Sequence, residues 1–178
     1  MNRILLGALA GLAATGPMTL AMKLMHEQLP HEEQYPLPPR QVTEGLAEKA
    51  GVNEHLDEEE REAATWVSHF AYGAACGAMY GAISGERVDG RPVLAGVGFG
   101  LAVWAGSYLG WLPAAGLHAP ATEHPARRNA LMIAAHVVWG TGVGAAVARL
   151  SGGRARERHS CPRAGAEATK VSARFSRL

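Results

Sequence analysis

The chain has 178 residues, a formal net charge of +1, 19% charged residues and a mean hydropathy of −0.03. These bulk values describe an ordinary soluble domain, but they average two kinds of segment. Four stretches of 19 to 26 residues contain no charged side chain, and only two of them contain a histidine. Four such stretches in a chain of this length exclude a separate soluble domain of normal size.

Each stretch is long enough to cross a bilayer, because a helix needs about 20 residues to span a hydrocarbon core of about 30 Å. In lipid, every backbone N–H and C=O group must be satisfied within its own segment, which favours helices. The sequence also lacks the alternation of a membrane barrel. We therefore predict an all-α membrane protein, a four-transmembrane-helix bundle over residues 1–150. The predicted spans are residues 4–22, 63–85, 92–117 and 129–148.

The first span contains Pro17 near its middle. Proline removes one backbone donor, so we predict a kink there, with a broken helix of the transporter kind as the alternative. Met1–Arg3 and Ala8–Ala10 resemble parts of a signal peptide. The apolar run continues to Met22, however, and is longer than a signal-peptide core of about 7–15 residues. We therefore expect the span to be retained.

The loop that follows, residues 23–62, carries eleven acidic and four basic residues. Tyr35–Arg40 contains three prolines and predicts an extended, polyproline-like segment that ends at Arg40. Gln41–Ala50 predicts a short helix that Gly51 ends. The loop is thus expected to form a small cap on the outer end of the bundle.

Orientation follows from Lys and Arg, which concentrate on the cytoplasmic side. With both termini inside, eleven basic residues lie on the inner side and six on the outer side. We therefore predict a multi-pass protein of the bacterial inner (cell) membrane with cytoplasmic N- and C-termini. Its first partner is the lipid bilayer.

The last segment, residues 151–178, predicts a disordered basic tail. Eight basic and two acidic residues lie between Arg149 and Leu178, and such a composition cannot bury enough surface to fold alone. Next to a membrane the tail would be attracted to anionic lipids. Nucleic-acid binding is not expected, because no recognisable fold or aromatic platform accompanies the charge.

Small residues recur at four-residue spacing in every span, which places them on one helical face. In membranes such stripes let backbones approach closely, so we predict helix packing within the protomer or in a homo-oligomer. The clearest stripes are Gly73, Gly77, Gly81 and Gly85 in the second span, and Gly140 and Gly144 in the fourth.

His69 and His136 are the histidines inside the predicted spans. Ionisable groups in a membrane are functional candidates; each of these heads a glycine stripe and has a tryptophan three residues away, Trp66 or Trp139. Both are expected at a similar depth. Three interpretations stay open: a neutral imidazole that bonds across helices, a site that titrates protons or handles ions, and bis-imidazole ligation of haem b.

A known family shares this arrangement. A glycine-rich first helix precedes Pro36–Arg40, then His69–Phe70–Ala71–Tyr72–Gly73, and finally His136–Val137–Val138–Trp139. Over about residues 4–150 the chain resembles the YagU-like family of uncharacterised bacterial inner-membrane proteins. The resemblance implies a polytopic inner-membrane protein and draws attention to Pro38, Pro39, Arg40 and the two histidines. It implies no catalytic residue.

Function is therefore expected to be non-enzymatic. The spans contain no nucleophile–base pair, phosphate loop, carboxylate pair or metal motif, so no metal and no cofactor are expected. The leading hypothesis is an integral inner-membrane protein of unknown role, in envelope or ion homeostasis, that self-associates. The alternative is a haem-binding or proton-conducting module that uses His69 and His136.

Overall fold

The computed structural model describes residues 2–84 and 91–160. This part of the chain contains five main helices, counting Pro92–Ala114 as one, and no strand. The helices are α1 (Arg3–His26), α2 (Pro38–Lys49), α3 (Glu58–Ile83), α4 (Pro92–Ala114) and α5 (Ala126–Ser160). The described residues up to Ala148 form one compact unit, and a second unit begins at Arg149.

Three described helices are long and apolar enough to cross a membrane, judged by length and composition. They are Arg3–His26, Pro92–Ala114 and Ala126–Leu150. The prediction of an all-helical protein is thus confirmed for the described residues, which contain three candidate membrane-spanning helices. The second predicted span, residues 63–85, is not among them. Helix α3, which contains most of it, is less apolar because His69 and two tyrosines lie among its small residues, and the helix begins with the charged run Glu58–Glu62.

Helix α1 is continuous through Pro17. Asn2 caps its first turn, because its side-chain oxygen accepts a hydrogen bond of 3.1 Å from the Ile4 N–H. Around the proline, the Thr15 and Thr19 hydroxyls donate to the carbonyls of Gly11 and Thr15 at 2.8 and 2.7 Å. The proline therefore does not end the helix, and the kink stays a prediction.

Helix α2 begins earlier than predicted. Pro38 and Pro39 occupy its first turn, so the extended segment ends at Leu37 and the polyproline prediction is wrong for the last three residues of Tyr35–Arg40. The physical reason is that proline is well suited to the start of a helix, where its missing N–H would have no partner. The predicted end is confirmed, since Gly51 has a φ of 70° and closes the helix.

Helix α5 extends further than predicted, to Ser160. Residues 151–160 were expected to be disordered and are helical. The run Arg154–Arg158 consists of strong helix formers that can continue a helix already started. Residues 161–178 of the predicted tail lie outside the described residues.

Helices α1 and α3 pack in antiparallel contact, with backbone against backbone. A Cβ added at Gly7 would collide with the Gly77 carbonyl and lie 2.9 Å from the Gly81 Cα. A Cβ added at Gly11 would collide with the Gly73 carbonyl in the same way. These glycines therefore permit the close approach, and any larger residue would separate the two helices.

Helices α4 and α5 repeat this arrangement. A Cβ added at Gly96 would collide with the Gly140 carbonyl and lie 2.9 Å from the Gly144 Cα. One step along, Gly100 faces the His136 carbonyl and Gly140. The described bundle thus consists of two helical hairpins, and their glycines pair at matching steps along the helices. Gly85, the last glycine of the predicted stripe, lies outside the described residues.

The two hairpins meet through aromatic and small residues. The Trp139 indole N–H donates to the Gly11 carbonyl at 3.2 Å, which links α5 to α1. The Phe99 ring lies 5.3 Å from the Tyr80 ring and 6.1 Å from the Trp139 ring, measured between centroids. Ala14 and Val143 belong to the same buried cluster as Tyr80 and Trp139, so the core between the hairpins is apolar.

Candidate functional site

Residues 27–57 join α1 to α3 and form a cap over one end of the bundle, which we call the cap end. Helix α2 is the main element of the cap. The hydroxyls of Thr43 in α2 and Ser68 in α3 are 2.6 Å apart, and Gly45 faces Leu117 beyond the end of α4. The cap therefore contacts both hairpins.

Arg128, near the start of α5, anchors the extended part of the cap to the bundle by hydrogen bonds. Its guanidinium donates to the carbonyls of Glu33, Tyr35 and Pro36 at 2.6, 3.0 and 3.1 Å and lies 3.6 Å from the centre of the Tyr35 ring. Only 5% of Arg128 is exposed. Sequence reasoning counted Arg128 merely as one of the outer basic residues, because its partners are more than 90 positions away.

Beneath the cap lies a cavity of about 180 Å³, which we call the central cavity. All five helices contribute to its wall. Most of the lining is apolar, and the polar groups include both histidines singled out from the sequence. They are joined there by Tyr72, Ser107, Tyr108 and Trp139.

His136 is held in a fixed orientation. Its Nδ1 lies 2.7 Å from the Met132 carbonyl oxygen one turn earlier in α5, and the Tyr108 ring meets it edge-on at 5.9 Å. The residue is 5% exposed. Because a carbonyl can only accept, Nδ1 carries the proton, and in the neutral ring Nε2 is left as an acceptor.

His69 separates the central cavity from a second cavity of about 410 Å³, which we call the vestibule. His69 lines both. Its Nε2 is buried without a hydrogen-bond partner. The structure therefore brings the two predicted histidines to one cavity, and it gives one of them a second, more polar neighbourhood.

The glycine contacts show that the two histidines do not occupy equivalent positions in the two hairpins. Gly11 approaches Gly73, whereas its counterpart Gly100 approaches His136. His136 is thus equivalent in packing to Gly73, one helical turn from His69. The repeated spacing in the sequence does not correspond to a repeated position in the structure.

The vestibule lies between α1, α2 and α3 and carries charged groups of both signs, Lys23, Arg40, Glu58 and Glu62. Trp66 lies in its wall. The Trp66 indole N–H donates to Glu62 at 3.3 Å, and the Lys23 ammonium is 5.0 Å from the ring centre.

Arg40 connects the cap to α3. Its guanidinium makes two hydrogen bonds of 2.9 Å to the Glu58 carboxylate and also pairs with Glu44. The hydrogen bonds and charge of Arg40 lower the pKa of Glu58 below its ordinary value. Arg40 is thus engaged within the chain, and its contacts link the start of α2 to the start of α3.

Tyr72, Ser107 and Trp111 form the side of the central cavity between α3 and α4. The Tyr72 and Ser107 hydroxyls are 2.9 Å apart, and the Trp111 indole N–H donates to the Tyr72 oxygen at 3.3 Å. A π-helical turn over Ser107–Trp111 shapes this part of α4. Sequence reasoning missed the cluster, because a π turn gives no periodic signal of its own. Pro17, by contrast, is exposed and absent from both cavity walls.

The residues present do not fit a haem between the two imidazoles. A porphyrin between the imidazoles would need the space beside the neighbouring glycines, but backbone fills that space. Helix α1 lies against Gly73 and Gly77, and α4 lies against Gly140 and Gly144. The space left is about 180 Å³, below the roughly 300–1,000 Å³ of cavities that hold larger ligands. Among the described residues, no three His, Cys, Asp or Glu side chains are placed to hold a metal ion.

Comparison with known proteins gives one match. No curated protein and no solved structure matches the chain. A family described as "Protein of unknown function (DUF1440)" matches residues 22–145. The match covers the cap, α3, α4 and most of α5, and with them both histidines, Arg40 and Arg128. Since it spans more than half of the sequence, the chain belongs to this DUF1440 family of proteins of unknown function.

Proposed function

We propose that the protein is a non-enzymatic, multi-pass protein of the bacterial inner membrane, similar to the YagU-like family, with both termini in the cytoplasm. The three apolar helices and the excess of Lys and Arg on one side of the predicted spans support this placement. In this topology the cap faces outward, and the basic tail lies where anionic lipids attract it. The described glycines pack within the chain, so they add no support for self-association.

Helix α3 is proposed as the fourth crossing because of its partner. Gly7 and Gly11 of α1 lie against Gly81, Gly77 and Gly73 of α3, over about two turns of helix. A helix in backbone contact with a spanning helix shares its depth. His69 and the α3 tyrosines then lie inside the bundle or at its interface, where polar groups are tolerated.

The function proposed for this bundle is to bind a small, mostly apolar molecule in the central cavity. The observation that carries the proposal is an apolar space of about 180 Å³ that contains two imidazoles. A cavity of about 150 Å³ is enough to hold benzene. A molecule of this size would fill the space, and the imidazoles would orient it.

Access is proposed from the cap side. His69 and Pro39 line both the vestibule and the central cavity, so movement of these two residues would join the two spaces. Toward the opposite end, the described core consists of small and apolar side chains such as Ala10, Leu6 and Val143, each at most 3% exposed. This arrangement supports binding from outside, in a role in the envelope, more than conduction across the membrane.

A fluorinated probe tests the proposal. Binding of 4-fluorotoluene to the full chain in lipid nanodiscs would be followed by 19F NMR, with empty nanodiscs as the blank. We expect saturable binding that Val103→Phe abolishes, because Val103 lines the central cavity. The matched control is Val93→Phe on the same helix, at a position that is 40% exposed; it should leave binding unchanged.

Equal probe signals for the Val103→Phe variant and the unchanged protein would contradict the proposal. Proton flux into liposomes that His69→Ala and His136→Ala both abolish would instead support the proton-handling alternative, which the position of His69 between the two cavities favours. A Soret band lost in both variants would support haem.

A further inference from the structure

We propose that the ligand of the central cavity is a neutral hydrogen-bond donor of about the size of phenol, which donates an O–H or N–H to Nε2 of His136. This inference rests on the proposed function and specifies its ligand class. It depends on the fixed orientation of one imidazole, on the size of the cavity and on the charges around it.

The orientation of His136 makes its free nitrogen an acceptor. Nδ1 is held 2.7 Å from the Met132 carbonyl, so in the neutral ring it is the donor and Nε2 keeps its lone pair. His136 makes no other hydrogen bond among the described residues, and the residue is 95% buried in the cavity wall. Burying an acceptor without a partner costs free energy. In the wall of a mostly apolar cavity, such an acceptor gains from a ligand that supplies a donor.

No described side chain is hydrogen-bonded to this nitrogen, and several nearby donors are used elsewhere. The Tyr72 and Ser107 hydroxyls are bonded to each other, and Trp111 donates to Tyr72. The Trp139 indole N–H is used by the Gly11 carbonyl. These groups are therefore engaged with one another or with the backbone, whereas Nε2 of His136 has no partner; Nε2 of His69, which lines the same cavity, is also without one.

The cavity also excludes a charged ligand. Its described wall contains no Asp, Glu, Lys or Arg, so a bound ion would lose its hydration without gaining a counter-charge. The volume of about 180 Å³ admits one aromatic ring with a small substituent, as the benzene comparison indicates. A neutral phenol, alcohol or amide of this size satisfies both conditions.

Two isosteric probes test the inference, since 4-fluorophenol and 4-fluorotoluene differ by a hydroxyl in place of a methyl group. Dissociation constants would be measured by 19F NMR on the full chain in nanodiscs. We expect His136→Phe to weaken 4-fluorophenol by about three- to tenfold relative to 4-fluorotoluene, the effect of one hydrogen bond. Val93→Phe, which introduces the same side chain outside both cavity walls, should leave the ratio within about twofold.

The outcomes separate this inference from the proposed function. If 4-fluorotoluene binds and His136→Phe does not change the ratio, the phenol inference is wrong and cavity binding stands. If neither probe binds the unchanged protein, both fail. Should His136→Phe not fold, the 15N signal of Nε2 in the unchanged protein decides: it should shift with 4-fluorophenol and not with 4-fluorotoluene, and equal shifts would overturn the inference.

Discussion

At the scale of single residues, Arg128 shows how a buried charge can organise a loop. Its guanidinium bonds to three carbonyls of a segment that is extended and proline-bounded, and it stacks on the ring of Tyr35. Those carbonyls have no helix or sheet to satisfy them. One side chain thus supplies the hydrogen bonds that secondary structure supplies elsewhere.

Replacing Arg128 should therefore release the cap. We expect Arg128→Met to lower the free energy of unfolding by about 3 kcal/mol, because hydrogen bonds to charged groups contribute about 1.5–3 kcal/mol each and several are lost together. Thermal unfolding in detergent measures the loss, and limited proteolysis should show new cleavage between residues 30 and 37. Arg127→Met is the control, since Arg127 is exposed; equal stability of the two variants would show that the contacts of Arg128 do not hold the cap.

At the scale of elements, the two helical hairpins depend on backbone contact. Around Gly77, the nearest atoms of α1 belong to the backbones of Gly7 and Gly11. Backbone cannot move aside as a flexible side chain can, so an added methyl group must push the helices apart. Elsewhere a glycine in a helix only reduces stability.

Glycine-to-alanine changes should therefore have opposite signs at different positions. We expect Gly77→Ala to destabilise the protein by about 1–3 kcal/mol through overpacking. Gly98→Ala, with no neighbouring atom within 4 Å of the added methyl group, should be neutral or stabilise it by up to about 1 kcal/mol. Unfolding titrations with a denaturing detergent provide the comparison. Stabilisation by both changes would rule out tight α1–α3 contact.

How much of the fold and of the candidate site could be predicted depends on how far apart the contacting residues lie in the sequence. Gly73, Gly77 and Gly140 were found from their four-residue spacing, and His69 and His136 from their isolation in apolar stretches. Those signals are local. Arg128 and Tyr35 could not be paired in this way, because no spacing rule connects residues more than 90 positions apart.

Local rules also misjudged two helix ends. Pro38 and Pro39 suggested extended chain, but at a helix start the same residues are favourable. The positive charge around Arg154 suggested disorder, although its composition also suits a helix that has already begun. In both cases the neighbouring helix, and not the segment itself, decided the outcome.

At the scale of the whole molecule, the number of crossings decides on which side each end lies. Four crossings place both termini on the same side, whereas three place them on opposite sides. Only α3 is in question, because α1, α4 and α5 each meet the length and composition of a span. The membrane topology therefore tests whether α3, a helix of modest hydropathy, can cross the bilayer when its glycines pack against a spanning helix.

Cysteine labelling in spheroplasts measures this topology. In a Cys76→Ala background, a membrane-impermeant maleimide should label Glu54→Cys in the cap without permeabilisation. Asn2→Cys and the native Cys161 should each react only after permeabilisation. Labelling of one terminus from outside and not the other would show that α3 does not cross, and it would contradict the proposed four-span bundle.

The hairpin arrangement also has a consequence for how the protein is made. In the proposed topology, α1 enters the bilayer first and is already inserted when the cap is translocated. Helix α3 then emerges beside a helix that already presents Gly7 and Gly11 to it. Its insertion is helped by a partner as well as by its own hydropathy, and the first hairpin can assemble while α4 is still being synthesised. The same glycines that fix the folded structure would thus set the order of membrane insertion.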